Sequence, residues 1–449
     1  MLFKIKILLY CNLFRITTVI YSVDTNLYHK EVNMKRTKLT ITVISLALLL
    51  SILFNLTGCV TVQAANLMDG VTANKVNKLD DLEEQSASFT DFALRLFKAT
   101  NEDGENVLIS PLSVMCALSM TLNGAEGNTL AQMENVLGMQ RDELNLYLYS
   151  YITSLPRGEK YKLIQANSIW FRDDDRFSVS PDFLQTNADY YGADIYKAPF
   201  DRQTLRDINN WVKLSTDGMI PKILDDIPDS AIMYLVNALA FEAEWKEVYK
   251  KTQVRDGKFT TEDGEVQSVK LMYAEENRYL EDENATGFIK YYSDRKYAFA
   301  AILPNEGVSV SEYLASIDGE AIYSMLTNSQ STTVKTAIPK FEVEYDTEMS
   351  GILKEMGMSD AFNSILADFS GIGSSTRGNI YIGRVIHKTF IEVGEKGTRA
   401  GAATVVEMND AAAEPSKPKE VILDRPFIYM LIDCENNVPF FIGTLMDAD

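Results

Sequence analysis

The chain is expected to fold as α+β in one large domain, and three observations lead there. Segments with apolar residues at helical spacing are interleaved with strand-like runs in no regular alternation, a pattern of segregated helices and sheets. Met233 to Phe241 is an almost continuous apolar run, as in a strand buried on both faces. No Pro/Gly/Ser-rich linker and no internal repeat divides residues 80–449.

The elements follow in order. Asp81 to Ala99 predicts an opening helix, because Phe89, Phe92, Ala93, Leu96 and Phe97 share one helical face. Ser113 to Leu122 is a second, strongly apolar helix after a Ser-Pro entry, and Thr129 to Leu137 a third with Thr129 as its cap. Leu163 to Phe171 alternates like a strand, and Pro181 to Tyr190 and Leu205 to Ser215 read as helices. Thr332 to Val343 reads as one long strand carrying Pro339, and Ser350 to Met356 as a short helix. Ile380 to Val393 is a strand leading into a variable loop, and Val421 to Asp433 and Val438 to Met446 close the chain as strands.

With 449 residues, 46% hydrophobic and 24% charged, the composition is globular and the length ample for a large core. The net charge is -20; residues 1–58 hold seven Lys/Arg and two Asp/Glu, so the remainder has 36 basic and 61 acidic side chains and a charge of -25. Such a balance argues against nucleic acid or anionic lipid as a partner for a general basic surface. Cys116 and Cys434 lie in apolar runs and read as packed free thiols; no Cys/His spacing resembles a zinc site, and no cofactor is expected.

Lys35, Arg36 and Lys38 precede the apolar run Ile41 to Phe54, which suits a signal peptide. The run ends in Leu56-Thr57-Gly58-Cys59, which resembles a bacterial lipobox and implies lipidation of Cys59. Met34 then reads as the natural start, residues 1–58 as extension plus signal, and residues 59–78 as a surface tether to the outer face of a membrane. Ordinary secretion with cleavage near Gln63-Ala64-Ala65 is the alternative.

The most informative run is Glu395-Lys-Gly-Thr-Arg-Ala-Gly-Ala-Ala-Thr-Val-Val406: a glycine turn, then small residues, then strand formers. Counted as a strand, one face carries Thr398, Ala400, Ala402, Thr404, Val406 and Met408, with no charge, while Arg399 and Glu407 fall on the other. Downstream, Glu407 to Glu420 is polar, Ala-rich and broken by Pro415 and Pro418. A strand former feeding an exposed, cleavable tip suggests a segment with two homes, although a flexible linker has a similar composition.

Val385 to Thr398 resembles the approach to a serpin reactive-centre loop. Six further stretches resemble serpin signatures in the right order: Asn106 to Val114, Leu122 to Thr129, Ile208 to Ile220, Leu235 to Phe241, Ile338 to Phe341 and Asp424 to Phe427. The resemblance spans roughly residue 80 to the C-terminus. It implies a serpin domain over 79–449, with three β-sheets, about nine helices and an exposed loop on a metastable body. It also implies a suicide-substrate inhibitor of serine endopeptidases, with cysteine endopeptidases as a second target class. A protease that attacks the loop is held as an acyl-enzyme in a covalent 1:1 complex when the cut loop inserts into the main sheet; strand addition and release of strain by serpins are general knowledge of the family.

By the same resemblance, Glu395, Gly397, Thr398, Ala400, Gly401, Ala402 and Ala403 form the hinge, with Arg399 departing from the usual acidic residue. Ser110, Ser113, Asn237 and His387 form a hydrogen-bonded shutter. Trp245 and Lys340 mark the breach where the loop enters, with Lys340 and Glu395 as an ion pair. Fourteen residues past Gly397 the scissile bond falls at Ala411–Ala412, with Ala413 and Met408 as fallbacks; counting back from Pro426 points near Pro415 instead. Alanine as bait suits elastase-like or subtilisin-like proteases. The rival readings are a non-inhibitory serpin acting as a binding protein or plain substrate, and a hydrolase that uses His387, the one histidine left after signal removal. A monomer is expected, touching membrane through its lipid alone.

Overall fold

Apolar spacing and local capping set the helices. The computed structural model describes residues 62–398 and 418–448, apart from Asp103, Arg176, Asp229, Ser230 and Arg377. Among them are nine α-helices: α1 (Glu83–Thr100), α2 (Pro111–Leu122), α3 (Gly127–Leu137), α4 (Arg141–Ser154), α5 (Pro181–Tyr191), α6 (Arg202–Ser215), α7 (Val310–Ser316), α8 (Gly319–Thr327) and α9 (Ser350–Met356). Ser110 caps α2 by accepting from the Ser113 N–H, with Pro111 in the first turn where its missing N–H costs nothing. Asp201 and Thr204 close a reciprocal capping box on α6. Every residue of α2 is buried, as an all-round apolar helix must be, and it packs against both large sheets.

The main sheet has seven strands: β1 (Ala65–Asn66), β2 (Tyr161–Arg172), β3 (Asp194–Ala198), β4 (Met233–Glu244), β5 (Phe341–Glu348), β6 (Arg384–Gly394) and β7 (Gly397–Thr398). Their spatial order is β1-β3-β2-β4-β7-β6-β5. A six-stranded sheet runs from Leu108–Ile109 through Val438–Leu445, Phe427–Asp433, Tyr297–Pro304 and Ala285–Tyr291 to Tyr279–Glu281. A third sheet pairs Lys419–Ile422, Val334–Pro339, Val266–Glu276 and Val254–Thr260, and a small ribbon joins Phe177–Val179 to Gly373–Ser375.

Four expectations change. The strand expected over 332–343 is two strands in two sheets: Val334–Pro339 ends in the four-stranded sheet, and Lys340 turns the chain into β5 of the main sheet. Proline cannot donate to a ladder, so Pro339 marks the break. Val421 to Asp433 splits likewise, into Lys419–Ile422 and Phe427–Asp433, with Pro426 between. Thr129 is not a cap, because α3 begins two residues earlier; its hydroxyl accepts from the Asp368 N–H instead. Within the expected tether, the described residues lie along the domain. Ala65 and Asn66 pair antiparallel with Lys197 and Tyr196 of β3, the Leu67 N–H donates to the Ile195 carbonyl, and Leu67 and Met68 pack on the core.

Candidate functional site

The hinge turns at Glu395–Lys396 and returns as β7, which stands between β4 and β6 at one end of the main sheet. Gly397 pairs with Glu244 and Gly394, and Thr398 with Ala243 and Val393. At the other end β4 and β6 pair directly and in parallel, at Tyr234 with Arg384 and Leu235 with Val385. The sheet is thus closed at one end and wedged at the other by the first two residues of the loop. Glycine is required at 397: its φ is +154° and a Cβ there would lie 1.9 Å from the Ala243 carbonyl oxygen.

Trp245, at the end of β4, grips this turn. Its backbone N–H donates to the Lys396 carbonyl (2.8 Å) and its indole Nε1–H to the Gly394 carbonyl (2.8 Å). The Tyr249 N–H donates to the Glu395 carbonyl at 3.0 Å. Lys340 Nζ lies 3.0 Å from Glu395 Oε2, with both side chains about two-fifths exposed, so the pair orients the turn more than it stabilises it. Burial alone would push the Glu395 carboxyl up; its own backbone N–H and the Lys340 ammonium outweigh that and hold it below the usual carboxylate range.

Beneath the centre of the sheet, a polar chain crosses from α2 to the strands. The Ser110 N–H donates to His387 Nε2 at 3.0 Å, and the Ser110 hydroxyl accepts from the Ser113 N–H at 3.2 Å. The Ser113 hydroxyl donates to the side-chain Oδ1 of Asn237, and the Asn237 side-chain Nδ2–H donates to Oδ1 of Asn167 on β2. The Thr389 hydroxyl donates to the Leu108 carbonyl at 2.7 Å. All six residues are buried. Burial pushes the His387 imidazole down to about 4, so it sits neutral and accepts through Nε2. A ring held this way by a backbone N–H is a structural histidine. Among the described residues no group of three or more His, Cys, Asp or Glu side chains is arranged to hold a metal ion, and no helix is long and apolar enough to cross a membrane.

A two-residue strand wedged into one end of a large sheet, over a buried Ser–Asn–His chain, fits the arrangement that the sequence resemblance implies. Comparison with known proteins decides the family: the profile described as "Serpin (serine protease inhibitor)" matches residues 87–448. The chain belongs to the serpin family. The crystal structure of a thermophilic serpin, tengpin, in its native state superposes with a TM-score of 0.82 at 50% identity, covering 86% of this chain and 100% of that one. The same thermophilic serpin in its latent state gives 0.73 at 45% identity, covering 84% and 100%. A leukocyte elastase inhibitor of Sus scrofa is 30% identical, covering 81% of this chain and 99% of its own.

In this serpin the structure brings Ser110, Ser113, Asn237 and His387 into one chain of contacts, and gathers Trp245, Lys340, Glu395, Gly397 and Thr398 at the wedged end. Ala400, Gly401, Ala402, Ala403, Met408, Ala411, Ala412 and Ala413 lie outside the described residues, as does Cys59. Sequence reasoning missed Asn167 and Thr389 in the shutter and Tyr249, Lys290 and Tyr292 at the breach. Asn167 had a signal: it is a polar residue at mid-strand directly opposite Asn237 in the antiparallel register. Lys290 and Tyr292 lie in Ala285–Tyr291 and just beyond it, a stretch with no motif to single them out.

Proposed function

We propose that this serpin inhibits serine endopeptidases as a suicide substrate. The protease cuts the loop at Ala411–Ala412, and the N-terminal stretch from Gly397 onward slides between β4 and β6 and carries the acyl-enzyme with it. One observation carries this reading: the hinge already occupies the two top positions of the strand to be completed, with Thr398 buried and uncharged. The insertion-facing set that follows in sequence, Ala400, Ala402, Thr404, Val406 and Met408, contains no charge that insertion would bury. A relative of 45–50% identity has been solved in both native and latent states, which is in keeping with a sheet that has more than one arrangement. A hydrolytic triad is disfavoured, since His387 spends its Nε2 on a backbone N–H beneath the sheet. Alanine at the bait points to elastase-like or subtilisin-like targets. Through a lipidated Cys59 the inhibitor would act as a monomer at the outer face of a membrane.

Mixing the full chain with a subtilisin-like protease and running the products under denaturing conditions tests this. The expected result is a covalent 1:1 species and a released C-terminal fragment starting at Ala412. Complete cleavage with the protease left fully active would leave the non-inhibitory reading standing.

A further inference from the structure

The Thr398 side chain has a dedicated receptor. Thr398 is 1% exposed, and its Oγ1 shares a hydrogen bond with the Tyr292 hydroxyl at 2.5 Å. Tyr292 is fully buried, with its ring edge-on to Phe241 at 5.2 Å. On its face it stacks on Trp245, with centroids 4.4 Å apart and planes within 7°. That indole in turn donates to Gly394 across the hinge turn. Behind the aromatic pair, the Lys290 ammonium sits 5.3 Å from the Trp245 ring centre and 4.4 Å from that of Tyr249. Glu276 holds it there at 2.7 Å, with both charged side chains nearly buried. A lone buried ammonium would be costly; between two ring faces and a carboxylate it becomes a fixed post behind the aromatic stack.

We propose that Tyr292 is a positioning residue that latches Thr398 into the sheet before the loop is cut, with Lys290 and Glu276 fixing the aromatic stack that presents its hydroxyl. The consequence for trapping rests on the inhibitory reading above; the latch itself does not. Closing a loop end onto a strand is the entropically costly step of strand addition, and the latch completes it in advance. After cleavage the strand then grows from a docked end, in competition with hydrolysis of the acyl-enzyme.

Tyr292→Phe removes one hydroxyl and keeps the ring; Thr398→Val removes the partner hydroxyl at constant shape. Two readouts separate the claims. Hydrogen exchange on the uncleaved protein should show the 394–398 segment protected, with exchange about tenfold faster in either variant, the scale of one net hydrogen bond. The moles of inhibitor consumed per mole of protease should rise severalfold in each, and the double variant should be no worse than either single one. Unchanged exchange in Tyr292→Phe, or effects that simply add in the double variant, would overturn the latch. Faster exchange in the variants of a chain that traps no protease would uphold the latch and refute the inhibitory reading instead.

Discussion

At the scale of single residues, the account turns on charge and protons at buried positions. Thr398 faces Tyr292 with essentially no exposure, so Thr398→Arg places a guanidinium where it has no water. That costs several kcal/mol in the place Thr398 already holds, so the hinge is driven out of the sheet and insertion must begin by burying the charge. The fraction of encounters ending in a trapped complex should fall by about tenfold or more, and titration of residual protease activity reads this directly. His387 carries a pH dependence. Its folded value is held at about 4, below the roughly 6.5 of an unfolded histidine, so the unfolded chain binds the proton more readily. The stability this neutral ring contributes is complete above about pH 6.5 and is lost as pH falls from there through 4, on the order of 3 kcal/mol in all. Protonation also removes the acceptor for the Ser110 N–H. Urea unfolding at pH 7 and pH 4.5 should show a larger drop in midpoint for the native chain than for His387→Gln.

At the scale of elements, what was legible in the sequence was whatever rests on local pattern. The α1 stripe of Phe89, Phe92, Leu96 and Phe97, the apolar run of β4 and the Ser-Pro entry to α2 each specify their element without help from the rest of the chain. The glycine at 397 was legible too, because a backbone that approaches Ala243 this closely leaves no room for a side chain. What failed was whatever depends on distant partners. Helix α4 has a buried stripe of Leu144, Tyr147, Leu148 and Tyr151, but Leu146, Tyr149 and Ile152 on its half-exposed side blur that stripe in the sequence, and no side chain caps its start. The sheet change at Lys340 depends on which strands lie alongside, and Pro339 was its one local sign. Residues 62–78 are polar and small enough to read as a tether, yet they bridge four elements. The Gln63 N–H donates to Asp207 of α6, β1 covers β3, Asn74 bonds Asp189 of α5, and the Leu79 N–H just beyond donates to Ser150 of α4. A chain starting at residue 79 should therefore lose the cover of its sheet edge and the hydrogen bonds of Gln63 and Asn74 to α6 and α5. Calorimetry should show it unfolding several degrees below a chain starting at residue 60; equal transitions would mean the strap is decoration.

At the scale of the whole molecule, the claim is that the main sheet is an unfinished structure. Its strands β4 and β6 pair at one end, are held apart by β7 at the other, and rest on a buried polar chain of Ser113, Asn237 and Asn167 between α2 and the strands. On the proposed reading, completing the strand after a cut would add backbone hydrogen bonds along its length, each worth a net of about 1 kcal/mol. The most direct test is thermal unfolding before and after a single cut in the loop by any protease, with the nicked chain otherwise intact. The account predicts a transition higher by on the order of ten degrees for the nicked protein. A nicked protein that melts at or below the intact one would contradict it, for then the severed segment has gained no place in the sheet.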